Sequence, residues 1–166
     1  MLSLVSFAQN RVNFTLDNSC RYIISGSTND YYVFQYEGES QSALFNKALI
    51  GVTKTFVSAK DVVSKVENSL ISINSTYIIE YYLAGIVKIE NHVNYIIELE
   101  FKDGKIRINA PTIVSIRDKK GETAPIRDFM LTSSGELADN WERFLFVNDV
   151  INSILSNMNT SSSDDW

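Results

Sequence analysis

The stretch Asn94–Asn109, NYIIELEFKDGKIRIN, constrains this chain more than any other. Two runs of alternating apolar and polar residues flank Asp103-Gly104, a dipeptide that sets a tight antiparallel hairpin because glycine accepts the positive φ of a primed turn. Placing Lys102 opposite Lys105 pairs Phe101 with Ile106, Glu100 with Arg107 and Leu99 with Ile108. That register gathers the apolar residues on one face and leaves an opposite-charge pair on the other. Turn chemistry and hydrophobic pattern name the same pairing, so the chain is expected to be built around an antiparallel sheet with one apolar face.

Such a face needs a cover, and two segments offer one. In SQSALFNKALIGVTKTFVSAKDVV, Phe45, Leu49, Val52 and Phe56 recur at helical spacing while Asn46, Lys47, Lys54 and Lys60 fall largely off the stripe, and Ser40 supplies an N-cap. Near the end, Asp139 or Asn140 can cap a second helix whose stripe is Trp141, Phe144, Leu145, Val147, Ile151, Leu155 and Met158. Further strands are expected at Tyr31–Tyr36, at Leu70–Ile73, over Thr76–Glu90 with a bend or bulge at Ala84-Gly85, and at Thr112–Ile116 after a turn at Ala110-Pro111. Asp118-Lys119-Lys120-Gly121 and Ser133–Gly135 read as loops.

The fold class that follows is α+β: a twisted antiparallel sheet of about five strands with two helices on one face, in the order β-α-β-β-β-β-α. At 166 residues the chain is sized for a single domain, placed at residues 31–158. Residues 9–30 read as an N-terminal arm containing a strand, and residues 159–166 as a polar, acidic tail. The opening run Leu2–Ala8 is apolar, ends in small residues and is followed by polar ones, so residues 1–8 read as the remnant of a signal peptide, with a short first strand over Leu2–Phe7 as the alternative. No run approaches the length of a membrane helix. The formal net charge of -5 disfavours nucleic acid as a partner.

Candidate chemistry is sparse. Cys20 has no second cysteine for a disulfide or zinc site and no lipoprotein-type run before it, so it reads as a buried small hydrophobe. His92, in the turn-like Glu90-Asn91-His92, is the one candidate for a general base, and Glu80, Glu98 and Glu100 are the carboxylates able to converge for acid/base work or a hard cation. Alternating glutamates are also what any solvent-facing strand carries. Tyr77, Tyr81, Tyr82 and Tyr95 are candidates for a ligand or peptide surface, with core packing as the ordinary alternative. The scattered glycines form no phosphate cradle, and Gly51 reads as a close helix contact. No catalytic, cofactor or metal residue is assigned.

The segments YEGESQSALFNKALIGVTKTFVSAKDVV and YIIELEFKDGKIRI, with the terminal DDW after a serine-rich linker, resemble a bacterial family of uncharacterised proteins, a domain of unknown function with a TATA-binding-protein-like fold. The resemblance implies a twisted antiparallel sheet with helices on one face and export from a bacterium of the Bacteroidetes type, and it brings no catalytic residue. The expected function is therefore a non-enzymatic, exported domain of the cell envelope that binds a protein, peptide or glycan; the alternative is a structural subunit of a larger assembly such as a phage or surface appendage. A hydrolase using the glutamates is a third reading.

Overall fold

The computed structural model of the protein describes residues 11–158, so the signal-like segment 1–8 and the tail 159–166 lie outside the described residues. The DG hairpin forms as the pattern dictates. Strand β6, Val87–Lys102, meets β7, Lys105–Asn109, with Lys102 against Lys105, Glu100 against Arg107 and Leu99 against Ile108, and Gly104 takes φ 69°. On the apolar face Val93, Tyr95, Ile97, Leu99, Phe101, Ile106 and Ile108 are buried.

β6 is the axis of a seven-stranded antiparallel sheet, larger than the five or so strands the sequence suggests. Its other members are β3 (Tyr31–Gln35), β4 (Val63–Val66), β5 (Leu70–Leu83), β8 (Thr112–Asp118) and β9 (Thr123–Ala124), in the order β3-β7-β6-β5-β4 with β8 also on β6 and β9 on β8. Three differences from the sequence reading account for the shape. First, Leu70–Ile73 and the start of Thr76–Glu90 are one strand, β5. Ala84-Gly85, expected as a bend, instead reverses the chain into β6 with φ values of 51° and 72°. Second, Ala110-Pro111 is no reversal. β7 and β8 both run antiparallel along the same edge of β6, against Leu99–Lys102 and Asn91–Ile96 respectively, and the proline, lacking an N–H, interrupts one long rail. Third, the first helix is shorter than the segment 40–63 that carries its stripe.

That helix, α1, spans Gln41–Thr55, with the Ser40 hydroxyl accepting from the Ala43 N–H at 3.2 Å. Gln41 ties its start to the β6–β7 turn through an N–H donated to Asp103 Oδ1 at 2.8 Å and a side-chain amide donated to the Phe101 carbonyl at 3.0 Å. The helix ends with Phe56 as its C-cap, and the rest of the segment becomes the short α2, Ala59–Val62, and the first residue of β4, which pairs with Leu70–Ile73 of β5. A short helix α3, Ile126–Met130, and a 3-10 turn, Trp141–Leu145, precede α4, Phe146–Met158.

α1 and α4 pack on the apolar face of the sheet and on each other. Gly51 is the contact point: a Cβ there would lie 2.5 Å from the Ile154 carbonyl oxygen. Residues 11–30, read as an arm with one strand, contain two, β1 (Phe14–Leu16) and β2 (Tyr22–Ile24), whose Phe14, Leu16 and Tyr22 are buried in the same core as α4 and the sheet. Asn148 and Asn152 of α4 bind the backbone of this hairpin. Asn148 accepts from the Phe14 N–H at 2.8 Å and donates to the Phe14 carbonyl at 2.9 Å; Asn152 does the same with Val12 at 2.9 and 3.0 Å.

Candidate functional site

With the helices on one side, the other face of the sheet is open, and alternate residues of β5 and β6 line it. Here the sequence candidates separate. Glu98 and Glu100 both receive the Asn109 side-chain amide, at 3.5 and 2.8 Å. Glu80 does not join them. It lies opposite Glu90, eight residues along β6 from Glu98, which is roughly 25 Å of strand, and it pairs with Lys88 at 2.8 Å. That hydrogen bond and charge pair hold the exposed Lys88 ammonium above its ordinary range. The three glutamates therefore form no single acid/base centre.

His92 is not in a turn. It stands mid-strand in β6 between Ile78 and Arg117, because the reversal falls earlier, at Ala84-Gly85. Its Nε2 lies 2.8 Å from Glu90 Oε1, and this hydrogen bond, outweighing slight desolvation, holds the Glu90 carboxyl below its usual range. No serine, threonine or cysteine is hydrogen-bonded to the ring among the described residues, so the pair lacks the nucleophile of a hydrolytic triad. Between these charges, Thr76 donates to Asn94 at 2.6 Å and Asn94 to Ser115 at 3.0 Å. Arg107 covers the Tyr31 ring at 4.2 Å.

The tyrosines divide by strand parity. Tyr95 is in the core, where burial pushes its phenol up. Tyr77 and Tyr81 also turn toward the helices: Tyr77 stacks on Phe146 with ring centroids 4.1 Å apart, and Arg143 covers Tyr81 at 4.1 Å. Of these four, Tyr82 alone projects from the open face, 64% exposed. Cys20 is not a buried core residue. It sits half-exposed at φ 60° in the β1–β2 turn and, with Asn18, Ser19, Ile126, Arg127 and Leu131, lines a shallow cleft of about 430 Å³. Partial burial raises its thiol, which disfavours the reactive thiolate. No group of three or more metal-ligating side chains occurs among the described residues.

The feature that sequence reading missed is an edge. β4 covers β5 only over Leu70–Ile73, so from Asn74 to Leu83 one side of β5 has no strand partner among the described residues. On the other side of the ribbon β8 stops at Asn91, leaving Glu80–Glu90 as a two-stranded projection. Tyr77 and Ile78 on the free stretch of β5, and Tyr82, Ile86 and Val87 on the projection, are 41 to 84% exposed. Strand length was the hidden signal: dividing β5 between a short strand at Leu70–Ile73 and a long one over Thr76–Glu90 concealed how far it outruns β4.

No family model matches the chain, and no curated protein sequence matches it. Solved structures do. A DUF4468 family protein from Bacteroides ovatus superposes with a TM-score of 0.60 at 13% identity, covering 90% of this chain and 91% of that one. A TBP-like protein from Parabacteroides distasonis superposes with a TM-score of 0.56 at 18% identity, covering 78% and 91%.

The fold is TBP-like. At these identities the likeness is one of architecture alone, and function has to come from the surfaces of this chain. No helix among the described residues is long and apolar enough to cross a membrane. The TBP-like sheet here thus offers two surfaces for recognition, the polar open face and the bare edge of β5.

Proposed function

We propose that the protein is a non-enzymatic, exported domain of the cell envelope that binds a protein or peptide partner by taking an extended segment as an added strand on the Asn74–Leu83 edge of β5. The observation that carries this reading is that edge: ten residues of strand with no partner on one side among the described residues, bearing exposed Tyr77, Ile78 and Tyr82. Strand addition draws affinity from main-chain hydrogen bonds and specificity from alternate side chains, which a bare edge supplies without a pocket. Nucleic acid fits poorly, because Glu80, Glu90, Glu98 and Glu100 stand on the open face that a DNA-gripping saddle would use. The signal-like run at residues 1–8 supports export.

Binding of an array of extended peptides, with Ile78→Pro as the edge-blocked variant, tests the docking site. Wild-type protein should retain peptides that Ile78→Pro releases at unchanged secondary structure; equal retention by both counts against the edge. N-terminal sequencing of protein produced from its native gene tests export, and a mature chain still carrying Met1–Ala8 would refute it.

A further inference from the structure

The end of the two-stranded projection differs in shape and composition from the edge along its side. We propose that the β5–β6 turn and the strand ends beside it form a lipid-contacting tip, which enters the headgroup layer of a bilayer while the rest of the sheet and the helices stay in water. This surface is separate from the strand-addition edge and stands whether or not that edge takes a peptide.

Residues 81–87, YYLAGIV, are an uncharged run bounded by Glu80 and Lys88. Strand parity spreads its apolar side chains around the ribbon. Tyr82 shares the open face with Lys88, Val87 lies on the opposite face, and Ile86 stands in the turn itself, at 64, 53 and 84% exposure. The tip is thus convex and apolar on both faces. That shape selects the partner: a rigid protein pocket would have to enclose both faces and the turn at once, whereas a fluid layer closes around such a tip without a preformed shape. Solvent-exposed apolar surface concentrated in this way marks an interaction site rather than ordinary scatter.

Length and backbone set the depth. From the Tyr82–Lys88 pair to the end of the turn is two to three residues, about 7–10 Å of strand, which matches the roughly 5–10 Å to which interfacial elements sink. Tyr82 and Lys88 then stand at the boundary, where an amphipathic ring and a long ammonium side chain are both favoured. Leu83 pairs with Val87, but the outer sides of the ribbon have no strand partner here among the described residues, so their N–H and C=O groups hold the tip in the hydrated headgroup layer and out of the hydrocarbon. Charge behind the tip is balanced. Lys88 pairs with Glu80 at 2.8 Å, and the pairing of Asp118 with Asn91 brings Lys119 and Lys120 of the β8–β9 turn alongside Glu90. Apolar side chains therefore carry the contact, and salt should not weaken it.

Flotation of the whole chain with phosphatidylcholine vesicles is the test. Wild-type protein should rise with the vesicles equally at low and high salt. Ile86→Asp, in the exposed turn, should lower the bound fraction about tenfold or more at unchanged circular dichroism. Ile86→Trp should raise it and add to the wild-type spectrum a blue-shifted emission on vesicles, quenched by lipid brominated near the headgroup and not by lipid brominated at the chain ends. A wild-type chain that stays behind at the highest lipid concentration overturns the inference, as does equal flotation of wild type and Ile86→Asp. Binding confined to anionic vesicles and lost in salt also overturns it, since that is adsorption by charge. A chain that ignores vesicles but captures a protein through Ile86 replaces the lipid surface with a protein partner and overturns it too.

Discussion

Three residues show how closely this packing is specified. Gly51 lets α1 and α4 touch, and a Cβ there would meet the Ile154 carbonyl oxygen at 2.5 Å and the Met158 side chain at 2.9 Å. Backbone cannot yield as a flexible side chain can, so Gly51→Ala should destabilise the fold by about 1–3 kcal/mol in denaturant unfolding, despite the better helix propensity of alanine. Ala84 is the opposite case, an L-residue at φ 51° where glycine would be unstrained. Ala84→Gly should stabilise by about 1 kcal/mol, read from the same unfolding curves. Tyr22, 3% exposed, donates to the Phe144 carbonyl at 2.5 Å, and burial pushes its phenol well above the ordinary 10.0. The folded state therefore holds that proton more tightly than the unfolded chain. The associated stability is complete below a pH of about 10 and is lost as pH rises toward the folded value. Tyr22→Phe should cost about 1 kcal/mol at neutral pH. Above pH 10 its melting temperature should fall less steeply than that of the wild type.

At the scale of elements, the β1–β2 hairpin is held by side-chain amides of α4. Asn148 satisfies one donor and one acceptor of Phe14 in β1, and Asn152 those of Val12 just before it, at 2.8 to 3.0 Å. Asn152→Ala leaves the Val12 N–H and C=O without those partners, so it should destabilise by about 1–3 kcal/mol and speed amide exchange at Val12 while leaving β6 protected. This contact was not legible in the sequence, since asparagine one turn apart on a helix ordinarily reads as solvated surface. What was legible followed from strong local chemistry: the DG turn and its register, Ser40 as a cap, and Gly51 as a contact. What was lost followed from local disguise. Ala84 in a left-handed conformation hid the β5–β6 reversal, Asn91-His92 imitated a turn inside a strand, and Pro111 imitated a break inside a continuous rail. The candidate site was lost for the same reason, because an edge is visible only once strand lengths are known.

For the whole molecule, the consequence of those lengths is a sheet whose two longest strands outrun their neighbours, with 14 residues in β5 and 16 in β6 against 4 in β4 and 7 in β8. The helices cover one face of its thick end, and the thin end projects with an aromatic and aliphatic border. Glu80, Glu90, His92, Glu98 and Glu100 are dispersed along this sheet and hydrogen-bonded to neighbours, whereas Asn74–Leu83 of β5 is a long stretch with no strand partner on one side among the described residues. The most direct test of that account is amide hydrogen exchange along β5, measured for the free chain and with a peptide retained from the array bound. Odd-numbered amides, bonded to β6 in phase with the Phe101 N–H on the Ser69 carbonyl, should be protected in both, and those of Thr76, Ile78, Glu80 and Tyr82 should become protected only with peptide. Even-numbered amides that exchange equally with and without peptide, or that are already as protected as the odd ones in the free chain, would contradict it.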